Sequence, residues 1–178
     1  MIREVKRKNI RLEAKNYLGQ RLYFITLCCT QRRPLLARPA VATWFVEKLR
    51  LSAARYGFEI HAYCVMPDHL HFLAEGVAEA SNLLQFVASF KQTTAFEFQR
   101  RWAQRLWQFK YFDHILRKAD ALESVAWYIW MNPARKGLCQ TAQKYRYSGS
   151  FTAAGTKLFL GSRRGNWSPP WNKASPSV

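Results

Sequence analysis

The sequence predicts an α+β fold of the ferredoxin-like, split βαβ type. An antiparallel sheet carries helices on one face, and a further helix toward the C-terminal end bears a tyrosine. Three observations support this. Strand-like and helix-like segments follow one another as β-α-β-β-α-β-α, and the first six match that arrangement. The stretch YCVMPDHLHFLAEG, residues 63–76, reads as a strand, a turn at Pro67-Asp68, and a second strand. The chain has 178 residues, 49% hydrophobic and 15% aromatic, enough to bury one sizeable core and too apolar for a disordered tail.

Residues 1–21 form a basic arm, with Arg3, Lys6, Arg7, Lys8, Arg11, Lys15 and Arg21 set against Glu4 and Glu13. Such an arm suits phosphate contacts, or is a solvated tail; Ile10, Leu12, Tyr17 and Leu18 suggest that part of it packs down. LYFITLCCT, residues 22–30, is β-branched and aromatic and reads as a buried strand. From Ala40 to Tyr56, Val41, Trp44, Phe45, Leu49 and Ala53 follow helical spacing, with Gly57 as the stop. FEIHAYCVM, residues 58–66, enters the hairpin. Ser81 is a candidate N-cap for a helix in which Leu83, Leu84, Val87, Phe90, Lys91, Thr94 and Phe98 repeat at three and four. LWQFKYFDHIL, residues 106–116, reads as a fourth strand with Phe112, His114 and Leu116 on one face. Asp120 then caps a last helix from Ala121 to about Met131, ended by Asn132-Pro133 and Gly137. The domain is expected to span 22–150, with a flexible basic extension over 151–178. RNA-recognition modules share this topology, so the fold alone assigns no function.

Lys and Arg number 28 against 11 Asp and Glu, a net charge of +17, which calls for a polyanionic partner. Nucleic acid is the first candidate and an anionic membrane surface the second. No apolar run reaches membrane-spanning length, and the basic N-terminus is not followed by an apolar signal region. A soluble cytoplasmic or nucleoid-associated protein is expected. Cys28, Cys29, Cys64 and Cys139 have no C-x-x-C spacing, so reduced and mostly buried thiols are expected.

The chemistry centres on His69 and His71. Alternation along a strand points both imidazoles one way, with Leu70 and Phe72 the other, which is two-thirds of a divalent metal site or two histidines on a polar face. In the last helix Tyr128 and Asn132 are four apart and share a face. Set against the histidines, that helix would offer Asn132 as an oxygen ligand and Tyr128 as a nucleophile. Two imidazoles and an amide oxygen suit Mg²⁺ or Mn²⁺ and lack the thiolates of structural zinc. Each residue alone has a plainer reading, Tyr128 as core and Asn132 as helix terminator.

VMPDHLHFL, followed downstream by YIWMNPARKGL, resembles the HUH single-tyrosine transposases, and most closely the REP-associated tyrosine transposases. KNIRLEAKNY ahead of YFITLC, WQFKYFDHILR before the last helix, and KYRYSGS after it extend the resemblance over about Arg7 to Ser150. It implies a metal-dependent endonuclease and strand-transferase for single-stranded DNA beside palindromic hairpins. It also implies a 5′-phosphotyrosine on Tyr128 and His69, His71 and Asn132 as metal ligands. Trp130 departs from the histidine or tyrosine expected in YIxxNP; it lies off the Tyr128/Asn132 face, where packing or base stacking is its expected role.

For the DNA surface, the candidates are Arg7, Arg11, Lys91, Lys110, Arg117, Arg135, Lys136, Lys144 and Arg146. Trp107, Tyr111 and Tyr147 are candidates for stacking on unpaired bases. Asp68 is read as a turn former before it is read as a partner of His69, and His114 as a sheet histidine before a cleft residue. His61 is assigned nothing. Two other readings stand beside the nuclease: an RNA-recognition-type binder, which would want aromatics where His69 and His71 are, and a hairpin binder that no longer cuts. No obligate protein partner is indicated, and monomer and homodimer are both open.

Overall fold

The computed structural model describes residues 12–117 and 122–161. Its element order is β1 (Leu22–Cys28), α1 (Pro39–Arg55), β2 (Phe58–Met66), β3 (His69–Gly76), α2 (Leu83–Trp102), β4 (Phe112–Ile115), α3 (Leu122–Trp130), α4 (Asn132–Arg135), β5 (Ser148–Gly149) and α5 (Ala153–Leu160). The strands form one antiparallel sheet in the order β4-β1-β3-β2-β5. The histidine strand β3 is therefore central, and all but Glu75 of its residues are buried.

Alternation along β1 and β3 divides the core in two. Tyr23, Ile25, Leu27, Leu70, Phe72 and Ala74 face α1 and α2, where Phe45, Leu49, Phe86 and Phe90 complete the larger core. Each of the Ile, Leu and Phe side chains among them contributes about 1.5–3 kcal/mol of transfer free energy. Phe24, Leu73, Ala62, Cys64 and Met66 face the other way, onto Val125, Ala126, Ile129 and Trp130 of α3. The ladder slips between Ile60 and Ala62, and this bulge lets Phe58, Ile60, Tyr63 and Val65 share the first core across a change of alternation. The tyrosine helix thus packs on the face opposite α1 and α2.

Three local expectations are corrected, and the packing of the arm at Tyr17 is borne out. Asn82, not Ser81, caps α2, its side chain accepting from the Gln85 amide; Ser81 Oγ instead donates to Gly57 O. Only Phe112–Ile115 of the proposed fourth strand is strand, because Leu106 and Trp107 turn into the core beside Cys29 and the chain then loops out. The basic arm is anchored from Ala14, a short 3₁₀ turn that buries Tyr17 and bonds its hydroxyl to Asp113 at 2.7 Å. Residues 153–160 of the supposed flexible extension form a capped helix whose Phe159 packs on Trp130, 5.0 Å between ring centres. Arg7, Arg11, Asp120 and residues 162–178 lie outside the described residues. No described helix is long and apolar enough to cross a membrane.

Candidate active site

On the α3 side of β3, His69 and His71 are 7% and 5% exposed. Each ring is fixed through Nδ1. His69 Nδ1 donates to Asp68 Oδ1 at 2.6 Å, and His71 Nδ1 lies 2.8 Å from the hydroxyl of Thr26, its ladder partner on β1. The two Nε2 atoms converge to 2.9 Å. With the His69 Nδ1 proton given to Asp68, His71 Nε2–H is the donor of that contact and Thr26 donates to His71 Nδ1. A hydroxyl also accepts, so Thr26 serves equally well when the His71 proton sits on Nδ1 and both Nε2 lone pairs are free.

Burial pushes the His69 pKa down, against the pull of Asp68. Burial first, then the neighbouring His69, Arg32 and Arg135, hold His71 well below its ordinary value. Both imidazoles are therefore neutral at neutral pH, the form that ligates metal. Two nitrogens about 3 Å apart match adjacent corners of an octahedral ion with bonds of about 2.1 Å. The donor set fits a divalent cation.

Tyr128 closes this face. Its half-buried ring sits 6.2 Å from the His71 ring and 5.9 Å from Phe24, and the Arg135 guanidinium lies 4.5 Å over it. Arg135 also donates to the Tyr128 carbonyl at 2.5 Å, so the residue after the helix break reaches back over the turn that carries the tyrosine. Burial raises the phenol pKa and Arg135 opposes the rise. Pro133 lacks an N–H, and the chain breaks at Met131 between α3 and α4, which sets Asn132 at the start of α4 and buries it. Asn132 Nδ2 donates to the carbonyls of Tyr128 and Ile129 at 2.8 and 3.3 Å, so its amide nitrogen is committed to the helix.

The remaining candidates divide. Trp107 is 5% exposed, with Nε1 donating to Thr94, and Trp130 is fully buried, with Nε1 donating to Gly149 O. Both are core residues, so stacking on a base is ruled out for each. Lys91 uses its ammonium on the carbonyls of Gln108 and Phe109, at 2.9 and 2.8 Å, which makes it a clamp on a loop. Lys110, Arg117, Arg135, Lys136, Lys144 and Arg146 are exposed, while Tyr111 and Tyr147 are partly exposed. His114 lies opposite Phe24 on the same sheet face as His71. His61 bonds Glu75 at 2.6 Å, and with Glu59 these donor atoms lie within 4.8 Å of one another, at the end of β3 away from His69.

Sequence reasoning missed Thr26 and Arg32. Thr26 is the polar residue in the apolar run LYFITLC, and its parity with the inward-facing Phe24 was the available signal. Arg32 bonds the outer oxygen of Asp68 at 3.3 Å, from a backbone at φ 55°, and no sequence pattern marks it.

A split βαβ sheet thus carries a histidine pair on its central strand, with a tyrosine-bearing helix across that face. Residues 19–132 match the IS200-like transposases, and the chain belongs to that family. It is 23% identical over 138 residues to a Haemophilus influenzae protein described as a REP-associated tyrosine transposase, covering 71% of this chain and 78% of that one. A second, uncharacterised protein of the same organism is 24% identical over 162 residues, covering 71% and 88%. Among solved structures, a REP-associated tyrosine transposase bound to a REP hairpin superposes with a TM-score of 0.68 at 17% identity, over 89% of this chain and 96% of that one. The resemblance carried by VMPDHLHFL and YIWMNPARKGL is thereby borne out, and with it the fold.

Proposed function

We propose that this transposase-family protein is a metal-dependent endonuclease and strand-transferase for single-stranded DNA at palindromic hairpin repeats, working through a 5′-phosphotyrosine on Tyr128. The observation that carries the reading is the pair of neutral imidazoles whose Nε2 atoms converge at 2.9 Å, one ring contact from Tyr128. His69, His71 and the Oδ1 of Asn132 would hold Mg²⁺ or Mn²⁺, which supplies Lewis-acid polarisation of the scissile phosphate.

The chain's own part is to position and to shield. Asp68 and Thr26 fix the two rings, so little reorganisation is required at the moment of reaction. Tyr128 Oη attacks phosphorus, giving up its proton as the Oη–P bond forms. The bond to the 3′ oxygen breaks, and that oxygen leaves as a 3′-hydroxyl after protonation. A buried phenol is a weak nucleophile while protonated, and the Arg135 guanidinium over its ring favours the phenolate. Attack on the phosphotyrosine by another 3′-hydroxyl reverses the chemistry and joins strands. The protein's net charge of +17 supports a DNA partner, and so does the hairpin held by its structural relative.

The test is a covalent-adduct assay. Single-stranded hairpin DNA flanking the protein's own gene, labelled at either end, is mixed with wild type or Tyr128→Phe in Mn²⁺ or EDTA. A metal-dependent adduct on the 5′ end of the downstream fragment, lost in the variant, is the expected result. Hairpin binding without an adduct in any metal would reduce the protein to a hairpin binder, and cleavage by Tyr128→Phe at the wild-type level would remove Tyr128 from its role.

A further inference from the structure

At the end of the hairpin away from His69, β2 and β3 bring together Glu59, His61 and Glu75. His61 Nε2 lies 2.6 Å from Glu75 Oε2, and one donor atom from each of the three lies within 4.8 Å of the others. The cluster is made by the ladder slip between Ile60 and Ala62. His61 is the extra residue of that bulge and has no partner on β3. It and Ala62 therefore both project onto the α3 face, where alternation from Leu73 also puts Glu75 and its partner Glu59.

The bulge is held from outside. Ile60 O accepts from Phe151 N at 3.0 Å and from Ser150 Oγ at 3.3 Å, and the α5 backbone closes on His61 O at Gly155. The imidazole is thereby fixed in place, its side chain 12% exposed.

The charges here differ from those elsewhere in the molecule. Glu59 and Glu75 are direct partners on the ladder, where two carboxylates repel. On its other side Glu75 faces Leu22 of β1. Among the described residues no Lys or Arg pairs with either glutamate, although Lys and Arg outnumber Asp and Glu by 28 to 11. Asp68, Glu97 and Glu47, by contrast, each have a Lys or Arg partner. Two facing carboxylates in so basic a chain lack the positive charge that their neighbours could have supplied.

One imidazole nitrogen and two carboxylate oxygens suit a divalent transition ion, with the remaining positions open to water. Ligands about 2.1 Å from such an ion stand about 3.0–3.4 Å from one another. One contact at 2.6 Å and an outer limit of 4.8 Å bracket that spacing. As a ligand His61 carries its proton on Nδ1 and turns the Nε2 lone pair to the ion.

We propose that Glu59, His61 and Glu75 form a second divalent-metal site, which takes a transition ion of the Zn²⁺ or Mn²⁺ kind and clamps the open end of the β2–β3 hairpin. Glu75 lies on the strand that carries His69 and His71, but about 13 Å beyond His71 at about 3.3 Å per residue. Paired catalytic metals sit about 3.5–4 Å apart, so this ion shares no phosphate with the first. Its role is structural, and the proposal does not depend on the nuclease reading.

The test counts ions in the full chain carrying His69→Ala and His71→Ala, which silences the first site. Equilibrium dialysis against Zn²⁺, and separately against Mn²⁺, should give one bound ion per chain with at least one of them, and that ion should raise the midpoint of thermal unfolding. Glu75→Gln, which keeps the side chain's shape, should abolish both the ion and the thermal response in that background. Glu59→Gln, at an exposed position, should do the same and serves where Glu75→Gln fails to fold. In the otherwise wild-type protein either substitution should lower the count by one ion, whether or not the double variant folds. Absence of any ion in a folded double variant would overturn the proposal. So would an ion retained by both glutamine variants, which would belong to other donors.

Discussion

Replacing Thr26 with valine isolates the part of the site that the fold supplies before any metal or DNA arrives. Valine matches threonine in volume, so the change leaves no cavity; it deletes one hydroxyl. Thr26 and His71 are 7% and 5% exposed, and their hydrogen bond is 2.8 Å. In Thr26→Val the His71 Nδ1 has lost its partner in a site that water reaches poorly. An unsatisfied buried group of this kind costs about 1–3 kcal/mol, to be read as a lower urea midpoint at unchanged slope in the metal-free protein. A second effect is separable. The hydroxyl orients the His71 ring and accepts its Nδ1 proton when Nε2 must be bare, and loss of such a partner lowers metal affinity about 10- to 100-fold. Mn²⁺ titration calorimetry reads that loss directly, without DNA. Thr26→Ser keeps the oxygen and should recover most of the affinity while losing some packing. Wild-type stability and Mn²⁺ affinity in Thr26→Val would mean that the 2.8 Å contact does nothing but fill space, and the account of the histidine pair would fail.

Three further outcomes follow from the same geometry. Since His69 and His71 have depressed pKa values, the folded state binds fewer protons than the unfolded one below the ordinary value of 6.5. Stability in EDTA is therefore full above that pH and falls as the medium is acidified through it. Urea midpoints across this range should show the loss, and a His71→Gln variant should flatten it. Trp130→Ala, which empties a fully buried site and removes the indole's bond to Gly149 O, should destabilise by about 3–5 kcal/mol in the same assay. Removing residues 1–11 leaves the Tyr17 anchor in place, and if Arg7 and Arg11 contact phosphates, the dependence of DNA affinity on salt should become shallower. An unaltered slope would make the arm a bystander.

The histidines and the tyrosine were legible because each follows from a single periodicity. Alternation fixes the shared face of His69 and His71, and a spacing of four fixes Tyr128 with Asn132. What was illegible depends on choices between neighbours or on contacts remote in sequence. Ser81 and Asn82 are both good caps, and Ser81 is taken by Gly57 O, 24 residues away in sequence. LWQFKYFDHIL has the composition of a strand throughout, but Trp107 finds Thr94 and Lys91 captures the loop carbonyls, so only its last third joins the sheet. The helix at 153–160 looked like part of a Gly- and Ser-rich tail. Thr152 caps it through Gly155 N, and Gly155 is required because a Cβ there would stand 2.5 Å from His61 O.

Asp68 shows why choosing between a structural and a functional role can mislead. The Pro67-Asp68 turn is held by its backbone, since Cys29 N bonds Asp68 O and Leu36 N bonds Pro67 O, both at 2.8 Å. With the main chain held from outside, the Asp68 side chain is not needed to form the turn. One oxygen accepts the His69 proton at 2.6 Å and the other meets Arg32 at 3.3 Å. Arg32 in turn follows Gln31 in the left-handed region, φ 52° and 55°, which non-glycine residues occupy at a cost of order 1–3 kcal/mol each. Such a conformation persists only where its surroundings impose it. Here it sets a guanidinium beside the carboxylate that orients the His69 imidazole, so the turn, the strained segment and the histidine are one mechanical unit. The tight turn brings Asp68 to His69 at no further cost in chain entropy, and the two roles are the same role.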